Sequence, residues 1–166
     1  MKGEAGAAVR RFGLLSDTHG LLRPEALHAL QGAGHLVHAG DVGSREVLDA
    51  LRARFPVTVV RGNVDRGGWA EALPLTDTVE LAGLLVHVLH DLHEIDLDPA
   101  AAGIQVVVSG HTHRPLIRRQ RGVLYVNPGS CGPRRFDLPV TVALLHVRPE
   151  GVDAELVPLR VESQDR

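Results

Sequence analysis

Asp17-Thr18-His19, Gly40-Asp41, Gly62-Asn63, His90 and Gly110-His111-Thr112-His113 are five polar clusters, each just after an apolar run. They combine carboxylate, amide and imidazole. That donor set suits Mn²⁺, Fe²⁺, Zn²⁺ or Ni²⁺ better than Ca²⁺ or Mg²⁺, which prefer oxygen alone. In extended backbone an Asp-x-His or His-x-His pair presents both side chains on one face, and two such pairs facing each other could surround a cation. Taken singly, each cluster has a plainer explanation. Asp41 reads as a turn or cap residue, Asn63 as a turn asparagine in left-handed backbone, and His90 as a hydrogen-bonded core histidine. Gly-His-Thr-His is the most specific of the five. The glycines at 40, 62 and 110 permit close backbone approach.

The elements that must position these residues are legible in the hydrophobic pattern. Phe12 to Leu15, Leu36 to Ala39 and Val57 to Val60 read as buried strands. Pro24 and Glu25 suit the first turn of a helix with Leu27 and Leu30 inside. Ser44 suits the N-cap of another, with Val47, Leu48, Leu51 and Phe55 on one stripe. Three β-loop-α units thus each stop at a polar residue beyond the strand, the edge where open α/β sheets bind ligands. In the second half, Val79 to Leu81 and Leu84 to Leu89 read as a hairpin around Gly83, and Ile104 to Val108 as a buried strand. Pro115 to Arg118 pairs with Val123 to Val126. Asn127-Pro128-Gly129-Ser130 is a tight turn, and Val140 to Val147 and Val152 to Leu159 form a terminal hairpin. Two stacked sheets with outer helices account for this mixture.

Composition narrows the function class. The 166 residues, 44% hydrophobic and 23% charged, suit a single domain over residues 1–166. A net charge of −2 and only 3% aromatic residues argue against a nucleic-acid partner. The basic run Arg118-Arg119-Gln120-Arg121 reads as a solvated hairpin turn. Cys131, the one cysteine, excludes an internal disulfide and a thiolate zinc cluster. The stretch from Met1 to Arg11 lacks an apolar signal core, and no apolar run is long enough to span a bilayer. A cytoplasmic protein without a membrane partner is therefore expected.

The order and spacing of the five clusters resemble the calcineurin-like metallophosphoesterase superfamily, whose signature runs Asp-x-His, Gly-Asp, Gly-Asn, His, Gly-His-x-His. The match runs from Phe12 to about Arg135. Gly-His-Thr-His-Arg-Pro at 110–115 and Asn-Pro-Gly-Ser at 127–130 look like its small prokaryotic branch, the YfcE-type phosphodiesterases. The resemblance implies an α/β fold, a four-layer αββα sandwich of two mixed β-sheets flanked by helices. It also implies two divalent transition-metal ions, manganese first, with nickel, iron or zinc as alternatives. One would take Asp17, His19, Asp41 and His113; the other would take Asp41, Asn63, His90 and His111, with Asp41 bridging. The implied reaction is hydrolysis of a small phosphate ester, a diester first, by in-line attack of a hydroxide bridging the metals. A phosphomonoesterase or nucleotide pyrophosphohydrolase is compatible with the same donors. The same fold also serves as a non-catalytic interaction scaffold, a homo-oligomer is compatible with it, and degraded ligands would mark a scaffold.

The sequence departs from the pattern at two places. Many superfamily members follow Gly-Asn with a histidine thought to assist the leaving group; here Val64 follows, which cannot transfer a proton. The fourth cluster is His90-Asp91-Leu92-His93 where His-Gly is common, and His93 could supply the missing proton. Asp41, Asn63 and His93 are therefore the residues expected to act in the reaction. Asp65 could orient a metal ligand or pair with Arg66, His38 could support Asp41, and Arg134 or Arg135 could bind a phosphate oxygen.

Overall fold

The computed structural model describes residues 10–161; most of the N-terminal stretch expected to lack a signal core lies outside them. The first half folds as β1 (Arg10–Leu15), α1 (Pro24–Ala29), β2 (Leu36–His38), α2 (Arg45–Arg52) and β3 (Val57–Val59). A short helix, α3 (Gly68–Glu71), follows, which no periodicity announced. Pro24 opens α1, where its missing N–H would have had no helical partner anyway. Ser44 caps α2 by accepting from the Val47 N–H at 3.4 Å. The helix stops at Arg52, so Phe55 lies beyond it rather than on its stripe, yet still packs against the same core.

The second half is β4 (Thr76–Leu81), β5 (Leu84–Leu89), β6 (Val106–Val108), β7 (Leu116–Gln120), β8 (Val123–Asn127), β9 (Thr141–Arg148) and β10 (Gly151–Pro158). One sheet has the order β10-β9-β1-β2-β3 and the other β4-β5-β6-β8-β7. Within them β1, β2 and β3 run parallel, as do β5, β6 and β8, and the flanking strands are antiparallel. The polar clusters thus follow the carboxyl ends of parallel strands, brought together where the two sheets meet.

Alternation along the strands fixes the layers. Phe12, Leu14, Val37 and Ala39 of the first sheet meet Val86, Val88, Val106, Val108, Leu124 and Val126 of the second. Leu15 and Leu36 face the other way, onto Ala26, Leu30, Val47, Leu48 and Leu51. Val107 and Val123 face outward beneath Leu92, Ile95 and Leu97. The result is the expected sandwich, except that the cover on the second sheet is a 3-10 turn at Leu92–Glu94 and its loop rather than an α-helix. Among the described residues no helix is long and apolar enough to cross a membrane.

His38 fastens the first two polar loops from below. It is fully buried. The Gly40 N–H donates to its Nδ1 at 3.1 Å, so the proton resides on Nε2, which donates to Thr18 Oγ1 at 3.0 Å. The Thr18 hydroxyl then donates to the Val42 carbonyl at 2.8 Å. This network requires a neutral ring. Burial lowers its pKa from 6.5 to about 4, against the pull of Asp17, Asp65 and Asp41. The unfolded ring takes up its proton near 6.5 and the folded ring only near 4. The contribution to stability is therefore complete above the unfolded value and is lost as pH falls between the two. His38→Gln, which keeps an N–H donor without a titrating group, is expected to flatten the fall in urea midpoint between about pH 7 and about pH 4.5. Equal slopes for both proteins would exclude His38 as their source.

Candidate metal centre

The loops carrying the clusters lock together through their backbones. Asp17 and His19 donate to the Gly40 and Asp41 carbonyls, each at 3.0 Å, Gly20 donates to Val42 at 2.8 Å, and Gly110 donates to His90 at 2.9 Å. Such close approach demands small residues. A Cβ at Gly62 would meet the Asp41 backbone, and one at Gly110 would meet Ser16 Oγ and Asp17 Oδ2. Asp17, His19, Asp41, His111 and His113 all have left-handed backbone, with φ between +46° and +71°. This corrects the expectation that the Asp-x-His and His-x-His pairs project from extended chain. Such backbone costs about 1–2 kcal/mol per L-residue and persists where the surroundings hold it.

Four donor atoms converge. His19 Nε2 lies 3.5 Å from Asp17 Oδ1, 3.6 Å from Asp41 Oδ2 and 3.3 Å from His113 Nε2, and His113 Nε2 is 3.3 Å from Asp17 Oδ1. Donors set tetrahedrally at about 2.0–2.2 Å from one ion would be about 3.3–3.6 Å apart, so the mutual spacing of Asp17 Oδ1, His19 Nε2 and His113 Nε2 fits a shared cation, which Asp41 Oδ2 adjoins beside His19. One proton could link only one pair of these lone-pair-bearing atoms. Asp17 Oδ1 has no hydrogen-bond partner among the described residues although it is fully buried. Its other oxygen accepts from the Ser16 hydroxyl at 2.6 Å and the His111 N–H at 3.1 Å.

A second group adjoins the first through Asp41. Asp41 Oδ1 accepts from the Val64 N–H at 3.0 Å, and Oδ2 lies 3.2 Å from His90 Nε2. His90 Nδ1 donates to the Ala39 carbonyl at 2.8 Å, so Nε2 presents its lone pair to a carboxylate and has no hydrogen-bond partner among the described residues. His113 Nδ1 likewise has none among them. Asn63 and His111 stand on the solvent side, with Asn63 Oδ1 and His111 Nδ1 3.3 Å apart and the His111 ring edge-on to His90. The compact set around the second position is thus Asp17, Asp41 and His90, with Asn63 and His111 engaged with each other beside it.

The electrostatics agree with the geometry. Burial would raise the Asp17 carboxyl, but His113, His19 and the Ser16 hydroxyl hold it well below the usual carboxylate range. Burial likewise opposes ionisation of Asp41, and His90 with the Val64 N–H more than offsets it. Burial would lower His90, yet the Asp41 and Asp17 carboxylates raise it above its ordinary value. The two carboxylates thus favour a positive charge at His90. Cys131 is buried and pushed up to about 12, first by burial, which removes it as a thiolate nucleophile.

Other candidates lie outside this cluster. His93 is 91% exposed, with Nδ1 3.3 Å from Asp91 Oδ1, while Asp91 Oδ2 is 3.9 Å from His111 Nε2. Arg134 and Arg135 are exposed. Sequence reasoning missed several supports. Asn127 donates to the Gly110 carbonyl at 3.0 Å and to Thr112 Oγ1 at 3.1 Å, bracing Gly-His-Thr-His. Ser130 donates to the Asp17 carbonyl at 3.0 Å. The signal was the Asn-Pro-Gly-Ser turn at the end of a buried strand, which explains itself as a turn and so hides its second task.

Comparison with known proteins identifies the family. The model of the calcineurin-like phosphoesterase superfamily domain matches residues 11–150. A probable metallophosphoesterase of Methanothermobacter thermautotrophicus is 33% identical over 158 residues, covering 88% of this chain and 91% of that protein. The solved structure of an archaeal phosphodiesterase superposes with a TM-score of 0.75 at 24% identity, covering 90% of this chain and 99% of that one. Vacuolar Protein Sorting 29 from Cryptosporidium parvum gives 0.72 at 16% identity, covering 92% and 99%; these two likenesses are of fold. All the converging donors fall inside the matched stretch, and the chain belongs to the calcineurin-like phosphoesterase superfamily.

Proposed function

We propose that this protein is a metal-dependent phosphodiesterase with two divalent transition-metal ions, manganese first and nickel, iron or zinc next. The observation that carries the reading is the convergence of Asp17 Oδ1, His19 Nε2, Asp41 Oδ2 and His113 Nε2, continued through Asp41 to His90. One ion would be held by Asp17, His19, Asp41 and His113 and the other by Asp41, Asn63, His90 and His111. Bound there, such ions supply Lewis acidity toward water and a phosphoryl group and neutralise charge developing on the phosphoryl oxygens.

The chain's own groups prepare the site. Ser16 and the His111 N–H occupy one oxygen of Asp17, and the Val64 N–H one oxygen of Asp41, so each carboxylate turns its other oxygen inward. Position 64 thus acts through its backbone. A cleft of about 260 Å³ lined by Arg61, Asn63, Leu75, His90, Asp91 and His111, with Glu94, adjoins the solvent side. Its carboxylates disfavour a monoester dianion more than a diester monoanion, and the cleft gives the second ester arm a place. Leaving-group protonation is assigned to His93, which is exposed beside Asp91, a residue lining that cleft. A scaffold role, suggested by the Vacuolar Protein Sorting 29 fold, does not call for seven competent donors.

Metal-stripped protein reloaded with Mn²⁺, Ni²⁺, Zn²⁺ or Mg²⁺ is expected to hydrolyse an aryl phosphodiester faster than an aryl phosphomonoester, and only with a transition metal; turnover indifferent to chelation refutes the reading. Asp41→Asn is expected to lower diester turnover by more than about 100-fold, beyond the loss typical of groups that merely orient ligands, with an unchanged circular dichroism spectrum. Activity within a few-fold of wild type would remove Asp41 from the site. His93→Ala is expected to slow poor leaving groups by about 10²-fold or more while sparing activated ones. An equal loss for both would leave His93 without the proton-donor role.

A further inference from the structure

Asp65 carries a role that the metal chemistry does not explain. It is 5% exposed and lies two residues beyond Asn63. Its Oδ2 accepts from the Gly62 N–H at 2.9 Å and the Val42 N–H at 3.2 Å, and its Oδ1 accepts from the Gly43 N–H at 2.9 Å. The carboxylate therefore ties the loop carrying Asp41 to the loop carrying Asn63. The expected alternative, a pair with Arg66, is not formed; the backbone amides take its place. Consecutive N–H groups after the left-handed Asp41 form a concavity for an anion, and Asp65 fills it.

Because three N–H groups converge on two oxygens, both atoms must be acceptors. Asparagine would turn an NH₂ toward an N–H donor. Through these bonds Asp65 sets the separation of the Asp41 and Asn63 loops, and it fixes the backbone immediately after the strained Asp41.

We infer that Asp65 is a positioning residue for the second cation, setting the spacing between Asp41 and Asn63. This rests on the dinuclear reading above. The first cation shares Asp41 with the second, but its other donors, Asp17, His19 and His113, come from loops to which Asp65 makes no hydrogen bond, so the second depends on Asp65 more.

The test is calorimetric titration of the metal-free full chain with Mn²⁺. Wild type is expected to take up two ions. Asp65→Asn is expected to weaken the second by about 10–100-fold, the loss typical of groups that orient ligands, and to weaken the first, which shares only Asp41, by a clearly smaller factor. Leu145→Ala, a buried change opposite Phe12 in the sheet register, is the control. It lowers the urea midpoint without selecting between the two ions. If Asp65→Asn does not fold, Asp65→Glu decides. It keeps charge and acceptors but is one methylene longer, so the second affinity is expected to fall further than the first. Wild-type affinities for both ions in Asp65→Asn, or in Asp65→Glu where that variant must decide, would overturn the role. So would equal weakening of both ions alongside a lost urea midpoint. A wild type that binds one ion sinks the dinuclear reading and this role together, whereas two ions in wild type with unchanged variants sinks this role alone.

Discussion

Asp17 and Asp41 place two ionised carboxylates, 0% and 3% exposed, within one wall of side chains. Removing a carboxylate from water costs on the order of several kcal/mol even after relaxation. The facing groups are imidazole nitrogens, which balance that charge only by taking up protons or by sharing a cation with it. The rest of the molecule is arranged around this constraint. Each carboxylate has one oxygen satisfied by fixed donors, Ser16 and the His111 N–H for Asp17 and the Val64 N–H for Asp41. The remaining oxygens face imidazole nitrogens.

Holding that arrangement requires backbone that ordinary sequence avoids. Five candidate ligands are left-handed, and the conformation survives because it is tied from several directions. Neighbouring loops exchange backbone hydrogen bonds, His38 joins the first loop to the second, Asp65 the second to the third, and Asn127 braces the Gly-His-Thr-His turn. The two-sheet core beneath is closely filled by alternating Val and Leu, so the strand ends present these loops from a rigid base.

The two halves of the centre differ in character. The side formed by Asp17, His19 and His113 is enclosed, with His19 13% exposed and His113 5% in their side chains. The side carrying Asn63 and His111 opens to solvent beside the cleft. Under the two-metal proposal, the enclosed half would suit a permanently held ion and the open half exchange of water for substrate. Valine at 64 fits this picture because the position contributes its amide rather than its side chain.

The donors themselves were legible from sequence because strand, polar stop and glycine recur in a fixed order, and residue type alone dictates what can bind a cation. The layers were legible too, since period-two alternation states which face is buried. The exceptions were local: α2 ends before Phe55, and the second sheet is covered by a 3-10 turn. Tertiary structure alone decided that Asp-x-His and His-x-His pairs sit in left-handed rather than extended backbone, that Asp65 binds amides 22 and 23 residues away instead of Arg66, and that His93 is exposed against Asp91. Each of these depends on hydrogen bonds and packing between segments distant in the chain. Local residue preference has no term for such partners, so they come into being only when the two sheets close on each other.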